Sequence, residues 1–126
     1  MNDKESEPKE RNIQERAFSF ACRIIKLYQF LAEQGSVGGV LGEQLLRSGT
    51  SIGANLEEAN AGQSRADFVS KCNIALKEAR ETHYYWLRLF EKTKVVSVER
   101  LRELTTESNE LVAILTTIVK SARVSE

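Results

Sequence analysis

Apolar residues recur along this chain at alternating steps of three and four, the spacing that gathers them on one side of an α-helix. Ile13, Ala17, Phe20, Ala21, Ile24, Tyr28 and Leu31 form the first such stripe and predict a helix over 13–34. Gly35 supplies its stop, because glycine tolerates the left-handed backbone that ends many helices, and Ser36 to Gly39 is expected to be a flexible turn. Over 40–61, Leu41, Leu45, Ile52, Leu56 and Ala59 share a face, with Ser48, Gly49, Thr50, Ser51, Gly53 and Ala54 set among them. Such small and hydroxyl-bearing residues weaken an isolated helix, so a neighbour is expected to approach this second helix closely. Asn60 to Gln63 predicts the next turn, with Gly62 as the stop and Ser64 as an N-cap for an amide near Asp67.

A third helix over 65–93 repeats Phe68, Cys72, Ala75, Ala79, Thr82 or His83, Trp86, and Leu89 or Phe90. At 1.5 Å per residue it spans roughly 40 Å. A fourth, over 98–123, carries Leu101, Leu104, Ser108, Leu111, Leu115, Ile118 and Ala122 in the alternation that forms the seam of left-handed helical packing. The only proline is Pro8 and every glycine lies at or before Gly62, so nothing interrupts the second half. Four amphipathic helices with short connections predict an all-α fold: one domain over 13–123, an antiparallel up-down-up-down four-helix bundle. Residues 1–12, charged in both signs, are expected to form a disordered leader.

The 126 residues suit one domain, and 41% hydrophobic with 29% charged residues is ordinary for a globular chain with a core. Eighteen Lys plus Arg balance eighteen Asp plus Glu, so attraction to nucleic acid or an anionic membrane must come from a local patch. No apolar run approaches the roughly 20 residues that span a bilayer. The charged leader lacks a signal-like apolar segment. A cytoplasmic protein without a membrane partner is therefore expected. Cys22 and Cys72 sit in helix-like segments without CxxC or Cys/His clustering, and both are expected to be reduced, buried thiols.

Arg47, Ser51, Asn55 and Glu58 line one side of the second helix, at the edge of its leucine stripe, and Glu78 and Glu81 stand beside the stripe of the third. A partly buried guanidinium needs a partner, so Arg47 is expected to pair with one of these carboxylates. The alternative is a ligand or nucleic-acid contact through Arg47 and Asn55. A di-iron site would need Glu-x-x-His pairs on two helices; the lone His83 follows Glu81 by two positions and Glu78 by five. No nucleophile elbow, phosphate-cradling glycine loop or zinc-protease motif is present, and neither cofactor nor metal is expected.

Tyr84, Tyr85 and Trp86 cannot all enter one core, since consecutive helical side chains point about 100° apart. Trp86 fits the inner stripe, leaving Tyr84 and Tyr85 outside. Phe18, Cys22 and Ile25 add a second apolar line to the first helix. Surplus apolar area of this kind predicts self-association, with Phe18, Ile25, Tyr84 and Tyr85 as candidate interface residues. Arg65, Lys77, Arg80, Arg88 and Lys92 recur along the third helix. A charged helix exterior is commonly only a solvated face, yet repeated around an oligomer this one would bind phosphates.

The stretch Leu45 to Ala61 (LLRSGTSIGANLEEANA), then Gln63 to Phe68 (QSRADF) and Ala75 to Ala79 (ALKEA), resembles the bacterial four-helix bundle proteins encoded in intervening sequences of large-subunit ribosomal RNA. The resemblance covers nearly all of the chain after the leader. Its most specific part is Arg-Ser-x-x-Ser-Ile-x-x-Asn from Arg47 to Asn55, with Glu58 after it. Ala59 departs from the glycine many relatives carry there. The resemblance implies a ring-like homopentamer and kinship with the accessory protein of diversity-generating retroelements, whose proposed partners are nucleic acid and a reverse transcriptase. It makes Arg47, Ser51, Asn55, Glu58 and Glu78 the family-type polar residues and assigns them no catalysis. The expected function is a non-enzymatic oligomeric bundle that engages RNA, DNA or a nucleic-acid enzyme through basic helix surfaces; the alternative is a protein-interaction scaffold without nucleic-acid contact.

Overall fold

A computed structural model describes residues 9–61 and 64–124. Its elements are α1 (Lys9–Ala32), α2 (Ser36–Asn60), α3 (Arg65–Glu81), a π-helical segment (Thr82–Leu87), α4 (Arg88–Thr93) and α5 (Val98–Val124). Backbone at both ends of the π segment stays in the right-handed helical region, so α3, the π turn and α4 form one continuous third rod. The chain is thus an all-α domain of four helical rods, and no strand occurs among the described residues.

The rods neighbour one another as α1 with α2, α2 with α3, α3 with α5, and α5 with α1, closing a ring around one core. Phe20, Ile24 and Leu31 of α1, Leu45 and Ile52 of α2, Leu87 and Phe90 of the third rod, and Leu111 and Leu115 of α5 are fully buried there. Each such side chain contributes roughly 1.5–3 kcal/mol by leaving water.

Glycines set the α1–α2 distance. A methyl group on Gly38 would strike the Leu31 carbonyl oxygen, and one on Gly49 would lie 2.9 Å from Ile24. Further along α2, Gly53 faces Ala17 at ordinary contact distance. This close approach explains a difference from the sequence expectation: Ser36 to Gly39 is no turn but the first turn of α2, because Gly38 is buried against α1. The connection shrinks to a short link before it, where Gly35 takes φ +118°, a conformation that favours glycine.

The other connections follow local chemistry. Ser64 caps α3 by accepting a hydrogen bond from the Asp67 amide at 3.1 Å. Lys94 ends α4 in the left-handed region at φ 60°, and the Ser97 hydroxyl accepts from the Arg100 amide at the start of α5. Helix α1 begins at Lys9, four residues before the expected start, so residues 9–12 are helical and not leader. The disorder expected for residues 1–8 and the stop assigned to Gly62 lie outside the described residues.

The π segment changes the register of the third rod. Its buried line is Val69, Cys72, Ala75, Ala79, Thr82, Leu87 and Phe90. The step from Thr82 to Leu87 is five residues, because the π turn accommodates one more residue than an α turn. Leu87 therefore takes the fully buried place expected for Trp86, which is only partly buried against the core, as is Phe68 beside Val69. Cys22 corrects a second expectation: it is exposed, lying on the Phe18–Ile25 side of α1 away from Phe20 and Ile24, while Cys72 is buried.

Candidate functional site

The seam between α2 and the third rod is built around Arg47. Its Nη1 donates to Glu78 Oε1 at 3.2 Å and its Nη2 to Glu81 Oε2 at 2.5 Å. Trp86 Nε1 donates to the same Glu81 oxygen at 2.7 Å. The hydrogen bond to Glu81, with further help from Glu78, holds the Arg47 guanidinium above its ordinary pKa. Burial alone would lift the Glu81 carboxyl, but the hydrogen bonds from Trp86 and Arg47 bring it below its usual value. Just inside this cluster the buried hydroxyls of Ser48 and Thr82 lie 2.8 Å apart, joining the same two rods.

The remaining members of the α2 polar line do not join the cluster. Ser51 Oγ donates to the Arg47 carbonyl at 2.6 Å, and Asn55 Nδ2 to the Ser51 carbonyl at 2.8 Å. Both side chains stitch their own helix. Glu58 accepts from Lys71 at 2.6 Å, a separate bridge between α2 and α3. Trp86 is the member that periodicity misplaced: it follows Glu81 by five, a separation the wider turn brings together.

On the other side of the molecule, Arg16 of α1 grips Glu107 and Glu110 of α5 at 2.8 and 2.5 Å. Those hydrogen bonds, Glu107 first, raise its pKa further. Arg100 of α5 lies over the Phe30 ring, 3.8 Å from its centroid. His83 Nδ1 lies 2.6 Å from Ser108 Oγ. Because the Ser108 hydroxyl donates to the Thr105 carbonyl at 3.0 Å, its oxygen is left to accept, which assigns the imidazole proton to Nδ1. Burial lowers the His83 pKa, partly offset by its hydrogen bond to the Thr105 backbone. Among the described residues no group of three or more His, Cys, Asp or Glu is placed to hold a metal ion. Among the described residues no helix is long and apolar enough to cross a membrane.

The basic residues of the third rod stand apart. Arg65, Lys77, Arg80, Arg88 and Lys92 are exposed, and among the described residues none has an ion-pair partner. By contrast, Arg16, Arg23, Arg47 and Lys71 bridge neighbouring helices. Tyr84 sits within the basic line, 48% exposed, with the Arg80 guanidinium 5.0 Å from its ring centroid and the His83 ring edge-on at 4.6 Å. Tyr85, 56% exposed, contacts Trp86 edge-on. Phe18 is 68% exposed and Ile25 also faces outward, so the structure places these interface candidates on the surface of the protomer.

Fold and site together define a class: an all-α four-helix protein whose polar side chains stitch its rods and whose third rod carries exposed cations without an ion pair among the described residues. The chain belongs to the 23S rRNA-intervening sequence protein family, whose model matches residues 9–117. It is similar to a solved structure from Bacteroides thetaiotaomicron described as a protein with unknown function from the S23 ribosomal protein family. That likeness runs at 43% identity and a TM-score of 0.82, over 90% of this chain and 99% of the other. No functionally curated protein matches it.

Proposed function

We propose that this protein is a non-enzymatic, self-associating bundle of the cytoplasm that engages nucleic acid through the outer face of its third rod. The observation that carries this reading is the contrast in cation pairing. Arginines at the helix seams meet carboxylates, whereas Lys77, Arg80, Arg88 and Lys92 face solvent without one. Cations left unneutralised along one rod attract a polyanion even when the whole chain is neutral.

Self-association rests on a second observation. Phe18, Cys22 and Ile25 line the outside of α1, where the protein's own core cannot cover them, and exposed apolar stripes of this kind mark contacts with other chains. The up-down-up-down course we infer is supported by the order of the contacts. Gly38 meets Leu31 while Gly53 meets Ala17, Arg47 meets Glu78 while Glu58 meets Lys71, and Arg16 meets Glu107 while Arg23 meets Glu103. A homopentamer is the assembly in keeping with the resemblance, and it would repeat the basic rod around a ring.

A titration of RNA and DNA binding against salt tests the functional reading. We expect affinity that falls steeply as salt rises; no salt-sensitive binding at low ionic strength would remove it. The second reading, a scaffold for other proteins, including a reverse transcriptase or another nucleic-acid enzyme, rests on the same apolar α1 line and would then stand in its place.

A further inference from the structure

We propose that Tyr84 is a stacking platform for an unpaired base, with Arg80 and Arg88 holding the flanking phosphates, so that the nucleic acid this protein takes is single-stranded. The inference rests on the nucleic-acid reading above and gives it a substrate class.

Three observations carry it. Tyr84 is an aromatic ring set between cations at equal steps, four residues after Arg80 and four before Arg88, with Lys77 a further turn away, and all are exposed. The ring is held and not loose: Arg80 lies over it and His83 abuts it, yet 48% of the residue still meets solvent. It also stands on the π segment, and a helix wound to i→i+5 bonds turns less per residue, which keeps residues four apart closer to one line than an α-helix would. Such segments recur at functional sites.

The chemistry selects the occupant. Duplex phosphates would use the cations but leave the ring idle, because duplex bases are stacked on one another. An unpaired strand offers both a backbone charge and a free base face, and stacking on an aromatic side chain is the common way proteins hold one. A seat for Tyr84 between protomers is less favourable. It would draw Arg80 and Arg88 into the interface, and charges without partners are expensive to desolvate. Tyr85, exposed and edge-on to Trp86, is the tyrosine left to such a contact.

The test is fluorescence anisotropy of the full-length protein with labelled oligothymidylate and a mixed-sequence duplex of equal length, for the wild type, Tyr84→Leu and Tyr84→Phe. We expect the single strand to bind more tightly than the duplex. Tyr84→Leu should weaken single-strand binding roughly tenfold, as loss of one stacked base does, with duplex binding and assembled mass unchanged, and Tyr84→Phe should bind like the wild type. Wild-type affinity in Tyr84→Leu, or an altered mass, would overturn the stacking site. Absence of binding to both probes at low salt would instead bring down the nucleic-acid reading and this site with it; equal binding of both probes by all three proteins would overturn the site alone.

Discussion

His83 is the one imidazole of the chain, and its proton count couples the third rod to α5. Its folded pKa lies below the ordinary value because burial disfavours the charged ring. The unfolded chain therefore binds the proton more readily, and stability should fall as pH drops below the unfolded value of about 6.5 toward the lower folded one. We expect the urea midpoint of the wild type to decline from about pH 7.5 to about pH 5.5, and that decline to be smaller in His83→Gln. An equal decline in both would assign the pH dependence elsewhere. The glycines of α2 make a second residue-scale contrast. Gly38→Ala should lower stability by about 1–3 kcal/mol, since the new methyl meets backbone that cannot yield. Gly53→Ala, with room against Ala17, should raise it by up to about 1 kcal/mol through helix propensity. Denaturant midpoints of the two variants decide this.

At the scale of elements, the helices were legible because apolar spacing survives any detail of packing. The inner stripes of α1, α2 and α5 follow it closely, although Leu27 joins the core of α1 between Ile24 and Leu31 without having been marked by the stripe. Besides the early start of α1 at Lys9, two features were not legible. Ser36 to Gly39 resembles a loop by composition, and only the buried approach of Gly38 to Leu31 explains why helix wins there. The π turn leaves no mark in Thr82 to Leu87, so the exchange of Trp86 for Leu87 in the core, and the Trp86–Glu81 hydrogen bond, were out of reach. A pairing of Arg47 with one of Glu78 and Glu81 could be anticipated, since all three residues flank apolar stripes on adjacent rods; the structure joins it to both. The Arg47 side chain is 46% exposed, so screening limits the worth of the pairing. A double-mutant cycle of Arg47→Ala with Glu81→Ala should return a coupling of about 0.5–1 kcal/mol; a coupling near zero would make the cluster incidental to stability.

At the scale of the whole molecule, two surface lines differ in character. The outer line of α1 is apolar and the outer line of the third rod is basic, although the formal charge of the chain is zero. If α1 is where copies meet, Phe18→Glu combined with Ile25→Glu should reduce the light-scattering mass toward the 14.2 kDa protomer while helical circular dichroism persists. A mass unchanged from wild type would move the interface to another face. Function then turns on whether the basic line is where a polyanion sits. The most direct measurement is the slope of log affinity for oligonucleotide against log salt, compared between the wild type, a variant with Arg80, Arg88 and Lys92 changed to Gln, and a control with Arg102 and Lys120 on α5 changed to Gln. We expect the third-rod variant to bind more weakly with a shallower slope, by about one unit for each phosphate contact removed, and the control to keep the wild-type slope. A wild-type slope in the third-rod variant, or the same loss in the control, would contradict the assignment of nucleic-acid binding to this rod.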